Sequence, residues 1–391
     1  MTALPDLSSD TVLAGLDAEI PDAVELRHEL HRAPEISGAE TWTASRVAAA
    51  LGRPEAPVVA GTGRLVRFGA ADQPCVALRA ELDALPVTEE TGAAYASGTG
   101  RAHACGHDVH LAGLVAFARA LVRVAPEEPL LAVLQPREET QPSGAYDIVQ
   151  SGALTKQRVR AIVGVHVQPQ LPAGSVAADA GVVNAASDEF EITITGSGGH
   201  GGYPHLAHDP VPVLCLCLTS LQELVRQAVD PMRPAVVTVG ELHAGGAPNV
   251  IAETARARGT IRTFDDADRD RLLAAIRSAV RGYAEAHGCA GSVRLDAVEP
   301  VLRNDSRLAA LGAEWLDKVG FRLATPSFRS CGSDDFSHYG TALPSLMVFL
   351  GVGEGPGSPM LHDPRFLPPD ERVRDVARAL AAGYLAARQL D

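Results

Sequence analysis

The run His103-Ala104-Cys105-Gly106-His107-Asp108 brings a thiol, two imidazoles and a carboxylate together. Glu138-Glu139 follows after the next apolar stretch. When deprotonated, these groups bind divalent metal. One carboxylate of an adjacent pair can ligate while the other handles a proton. The combination points to a metal-activated hydrolase.

Such residues need a scaffold that converges them. Residues 21–33 read as a helix with Leu26 and Leu30 on one face and Pro34 as its stop. Residues 40–51, 107–122 and 370–389 read as further helices. Arg64–Phe68 and Cys75–Arg79 read as short strands. Leu130–Gln135, Ile162–Val167 and Leu346–Leu350 are continuous apolar runs of the kind buried on both faces. Strands alternating with helices predict an α/β fold with a mostly parallel sheet. On this map Asp83 follows Cys75–Arg79, Glu138 and Glu139 follow Leu130–Gln135, and His166 ends Ile162–Val167. His362 lies in the Gly/Pro-rich loop after Leu346–Leu350, and Cys105 and His107 lie where a helix opens. Open α/β sheets build their sites on the edge where strands end. Cys105, His107, Glu139, His166 and His362 exceed what one tetrahedral ion needs; two ions sharing ligands would use them all.

One stretch breaks the rhythm. Asp188–Thr195 alternates like a half-exposed strand. A helix over 210–228, strands Ala235–Leu242 and Thr254–Arg262, a helix over 266–287 and a strand Ser292–Val298 follow. The order βαββαβ is the split βαβ arrangement of ferredoxin-like domains. It predicts an inserted domain over 187–298, with 1–186 and 299–391 forming the larger one.

The bulk properties remove other classes. The 391 residues carry 34 basic and 48 acidic side chains, a net charge of −14. That balance argues against a nucleic-acid surface and against an anionic membrane. No apolar run approaches the roughly 20 residues of a membrane span. Met1–Asp10 has neither a basic n-region nor an apolar h-region, so the expected location is cytoplasmic. Six cysteines in a long, unsignalled chain read as reduced thiols, with Cys215 and Cys217 as core fillers in a helix.

Nearly end to end, the chain resembles the aminoacylase-like di-metal amidohydrolases, the branch that includes hippurate hydrolases and plant auxin-conjugate hydrolases. The resemblance is carried by Leu30-His31-Arg32-Ala33-Pro34-Glu35, by Leu78 to Pro86, by His103 to Asp108 and by Gln135 to Glu139. It continues through Gly198-Gly199-His200 with Pro204-His205, Asn249-Val250-Ile251, Gly259 to Thr263 and Gly332 to Phe336. It implies a catalytic domain of di-zinc exopeptidase type, with the insertion as a dimerisation and lid domain. It implies metal ligands at Cys105, His107, Glu139, His166 and His362, a general base at Glu138 and a supporting carboxylate at Asp83. Asn249 and Arg262 would contact a substrate carboxylate, and His200 would reach the active site of a neighbouring subunit in a homodimer. The implied reaction is hydrolysis of N-acyl amino acids or similar small amides by a metal-activated water, with His200 helping to hold the oxyanion. Glu81, Arg137, Gly201-Gly202 and Asp334 depart from the commonest residues of the pattern; none removes a ligand. Arg137, next to Glu138, bears on the base or the pocket. Two divalent ions are implied, Zn2+ first because of the thiolate, with Mn2+, Co2+ or Ni2+ admitted by the other donors.

Plainer readings compete at single positions. His287 and His243 read as surface or core groups, His31 and His110 as packing or capping, and Arg262 equally as a salt-bridging strand residue. Gly196 to Gly201 fits G-x-G-x-x-G, but Tyr203-Pro204-His205 follows where a dinucleotide site needs a helix, so a Rossmann site is rejected. A dipeptidase or carboxypeptidase on the same scaffold, and a catalytically silent metal- or ligand-binding protein, are the alternatives.

Overall fold

A computed structural model describes residues 9–390 of the chain. Most of Met1–Asp10, read above as lacking a secretory signal, lies outside the described residues. The chain forms two compact units. One comprises the described residues up to Val183, with Arg303–Phe328 and the segment from Asp335 onward. The other is Asn184–Leu302 with Arg329–Asp334.

The first unit is built on an eight-stranded sheet. Its order is Val58–Val59, Gly63–Phe68, Leu130–Gln135, Cys75–Glu81, Val159–Pro172, Ser345–Gly353, Ser175–Ala177, Arg322–Leu323. The four central strands, Leu130–Gln135 to Ser345–Gly353, run parallel. Leu130–Gln135, Cys75–Glu81 and Ser345–Gly353 are buried at every position. Layers on both faces are why these strands read as unbroken apolar runs. Helices His107–Val124 and Glu371–Arg388 pack on each other and on the strands. Gly113 permits that contact: a Cβ there would sit 2.5 Å from Val376 Cγ1. Each fully buried Leu or Val in this layer contributes roughly 1.5–3 kcal/mol. The helices Ser9–Asp17 and Ser306–Lys318 have no counterpart among the elements expected from the sequence. The second had a signal, Asp305, whose carboxylate caps it by accepting from the N–H groups of Arg307 and Leu308 at 3.0 and 2.8 Å.

The second unit holds an antiparallel sheet in the order Ala235–Ala244, Thr254–Thr263, Ala186–Thr195, Ala290–Glu299. Helices Pro210–Ala228 and Asp266–Ala286 complete a ferredoxin-like βαββαβ. Asp209 and Asp265 cap them, accepting from the N–H groups of Val211 and Asp268. Phe190, Ile192, Ile194 and Ile261 pack with Val213, Leu214, Leu221, Leu272 and Ile276 in the core. Cys217 lies in that core, but Cys215 is exposed. At 100° per residue, two positions two apart on a helix cannot both face inward. All six cysteines are free thiols. Among the described residues, no helix is long and apolar enough to cross a membrane.

Candidate metal centre

In the first unit, one glycine opens the site. Gly106 caps helix His107–Val124 with φ 85°, the left-handed region that favours glycine. A Cβ there would also lie 2.6 Å from Val167 Cγ2. That close approach draws the start of the helix onto strand Val159–Pro172 beside His166, which lies inside this strand and not at its end as expected. As a result Cys105 Sγ lies 3.5 Å from His166 Nε2. Cys105, His107 and Glu139 each offer a ligand atom within 4.8 Å of the others. His362 Nε2 is 3.3 Å from Glu139 Oε1, and Glu138 Oε2 is 3.8 Å from His107 Nε2. All five expected ligands and Glu138 therefore meet in this unit. His362 is held with φ 70° by its N–H bond to the Ala104 carbonyl at 2.8 Å.

The hydrogen bonds behind the cluster fix which atoms face it. His107 Nδ1 lies 2.8 Å from the Asp83 carbonyl oxygen, and His166 Nδ1 lies 2.7 Å from that of Val167. A carbonyl only accepts, so in the neutral rings each Nδ1 carries the proton and each Nε2 presents a lone pair to the cluster. His107 Nε2 is buried with no hydrogen-bond partner among the described residues. Buried imidazole lone pairs beside a thiol and carboxylates fit a divalent ion.

Asp83 braces both sides. Its Oδ2 accepts from Ser37 Oγ at 2.7 Å and from the Glu139 N–H at 3.0 Å. Burial works against its charge, but His107, Ser37 and the Glu139 N–H outweigh that and hold its pKa down at about 2. Burial likewise opposes the charged form of His107, and Asp83 and Glu139 overcome it, raising that pKa. The hydrogen bond to Glu139 raises the pKa of His362. Glu139 is lowered in spite of burial, chiefly by His362 and then His107.

Two buried polar groups around the site were not expected from the sequence. Arg27 and His31 both bind Asp108 Oδ2 at 3.0 Å, directly behind His107 in the chain. Burial opposes the Asp108 charge, yet Arg27 and His31 hold its pKa far below the usual range. Arg79, Glu81, His110, Gln135 and Asp335 form the other group. His31 and His110, expected only to pack or cap, are thus hydrogen-bonded members of these groups. Arg137, expected to act on the base or pocket, commits its guanidinium to Asp147 Oδ2 at 2.6 Å and to the carbonyls of Pro142 and Ala60.

The other three predicted residues lie in the second unit. His200 is exposed on the short strand Gly199–His200, which pairs with Val250–Ile251. Its Nδ1 accepts from the Gly202 N–H at 3.0 Å. Asn249, also exposed, accepts the Gly201 N–H at its carbonyl. Arg262 is half-buried and donates to Ser333 Oγ at 2.7 Å. After Gly196–Gly201 comes a 3-10 turn, Pro204–Leu206, and the α-helix starts only at Pro210.

An N-acetyldiaminopimelate deacetylase from Bacillus licheniformis is 32% identical over 372 residues, covering 94% of this chain and 98% of its own length. An N-acetylcysteine deacetylase from Bacillus subtilis is 30% identical over 371 residues, covering 93% and 94%. The crystal structure of a Bacillus subtilis protein described as a dinuclear metal binding peptidase matches with a TM-score of 0.82 and 28% identity, covering 96% of this chain and all of that one. The model of peptidase family M20/M25/M40 matches residues 77–385, and the chain belongs to that family.

Proposed function

We propose that this protein is a metal-dependent amidohydrolase that removes the acyl group from N-acyl amino acids or closely similar small amides. The observation that carries the reading is the cluster itself: two histidines whose Nε2 lone pairs face Cys105, Glu139 and His362, with a second glutamate beside them. The deacetylase relatives support the substrate class.

Cys105, His107, Glu139, His166 and His362 would hold two divalent cations, Zn2+ by the softness of the thiolate. When bound, such ions polarise an amide carbonyl and acidify water. Glu138, 3.8 Å from His107 and outside the ligand set, takes a proton from the attacking water. The water oxygen adds to the carbonyl carbon, the C–N bond breaks, and Glu138 passes its proton to the leaving amine. Asp83 keeps the loop of Glu139 and the ring of His107 in place. His200 donates to the oxyanion in a neighbouring subunit's active site, and Asn249 and Arg262 bind the substrate carboxylate.

We take the second unit as the inserted dimerisation and lid domain. Its edge strand Ala235–Ala244 exposes Val236, Val239 and Leu242, and the helix beside it exposes Leu216. An unpaired, apolar sheet edge favours a second copy. The functional test is hydrolysis of a panel of N-acyl amino acids by the Zn2+-loaded and metal-stripped protein. Metal-dependent release of free amino acid is expected. Cleavage of dipeptides alone would move the reading to a peptidase, and full metal loading without any turnover would leave a binding protein.

A further inference from the structure

Glu81, His107, His110 and His166 come within 4.8 Å of one another and by spacing read as another cage for a cation. The hydrogen bonds give them a different role. The Val167 N–H donates to His110 Nε2 at 3.0 Å, which uses that lone pair. His110 Nδ1 lies 2.9 Å from Glu81 Oε2, and a carboxylate only accepts, so Nδ1 carries the proton. Glu81 Oε1 accepts from the Arg79 guanidinium. Arg79 also donates to Gln135 Oε1 at 2.8 Å and to Asp335 Oδ1 at 2.7 Å. Arg79, Glu81 and His110 are each no more than 1% exposed. The His166 ring stands edge-on to the His110 ring, with centroids 4.7 Å apart, and bonds the carbonyl of the same Val167.

We propose that Glu81 and His110 are positioning residues for His166. Glu81 sets which nitrogen of His110 is protonated, and His110 anchors the Val167 backbone against which His166 aims its Nε2. Arg79 orients Glu81 from behind. The proposal rests on the di-metal reading above.

A buried ion pair is weak evidence for stability, since apolar replacements often serve as well. Groups that orient a ligand histidine instead change metal affinity by roughly 10–100-fold when altered. Glu81→Gln separates the two roles at constant volume. Arg79 can only donate, so the amide oxygen turns toward Arg79 and the NH2 meets His110 Nδ1. His110 must then shift its proton to Nε2, where it confronts the Val167 N–H. In Glu81→Gln we expect Zn2+ affinity at the weaker site, measured by chelator competition, to fall roughly 10–100-fold. Excess Zn2+ should restore much of kcat, and Glu81→Asp should bind close to wild type. If Glu81→Gln does not fold, His110 decides. His110→Asn keeps a donor for Glu81 but loses the acceptor for Val167, and should weaken binding. His110→Gln keeps an acceptor at that reach and should bind more tightly than His110→Asn. Wild-type affinity in a folded Glu81→Gln or His110→Asn overturns the proposal. So does a lower Tm of the metal-free protein with unchanged affinity, the signature of a purely structural cluster. A wild-type chain that binds fewer than two divalent ions would instead overturn the di-metal reading.

Discussion

The two units bury their candidate residues to different degrees, with His362 the exposed exception in the first. In the first, Cys105, His107 and His166 are buried, and both histidines are held by carbonyl hydrogen bonds on the far side of their rings. In the second, His200 and Asn249 are exposed, and Arg262 is half-buried. A side chain with internal partners is oriented before any ligand arrives. A more exposed one is held less firmly: His200 and Arg262 are anchored to Gly202 and Ser333 but remain open to solvent. On the function proposed above, metal binding and proton transfer belong to the first unit, and substrate contacts, including that of His200 to the oxyanion, to the second.

The largest test of that division is Glu138→Gln. It should leave two ions per chain by elemental analysis and lower kcat by roughly 10²–10⁴-fold, the range of general acid–base catalysis. Activity within a small factor of wild type would remove Glu138 as the proton carrier. His200→Ala comes next. Loss of one oxyanion donor lowers kcat by roughly 10²–10³-fold. Metal content should not change, because His200 belongs to the other unit; a fall in metal content would blur the division. The smallest effect concerns protons. The metal-free protein raises the pKa of both His107 and His362, so near pH 6 both carry a proton that an incoming ion must expel. Affinity should therefore fall as pH drops through those raised values. Zn2+ binding should release more protons at pH 6 than at pH 8 when titrated calorimetrically in buffers of different ionisation heat. Equal release at both pH values would mean that these rings do not compete for the ion.

Much of this arrangement was legible in the sequence for a physical reason. Glu138-Glu139 and His362 each follow an apolar run and His166 lies late in one, and neighbouring parallel strands bring such segments together. The βαββαβ order of the second unit was visible because its strands alternate where those of the first do not. What stayed hidden was the support. His110 and Glu81 are separated by 29 positions, and Arg27 and Asp108 by 81; each alone looks like an ordinary polar residue. Only the tertiary fold pairs them. Arg137 misled for the same reason, since adjacency to Glu138 in the chain did not reveal Asp147 as its partner. Cys215 misled because composition alone does not say which side of a helix faces the core.

Gly106 has no side chain to offer a metal or a substrate. Yet a methyl group there would press on Val167, whose carbonyl steers His166 and whose N–H rests on His110. In a survey of tolerated substitutions, Gly106 should therefore score with the ligands and not with the other helix caps. Its indispensable contribution is a space, and the residue that would lose its aim if that space were filled stands sixty positions further along the chain.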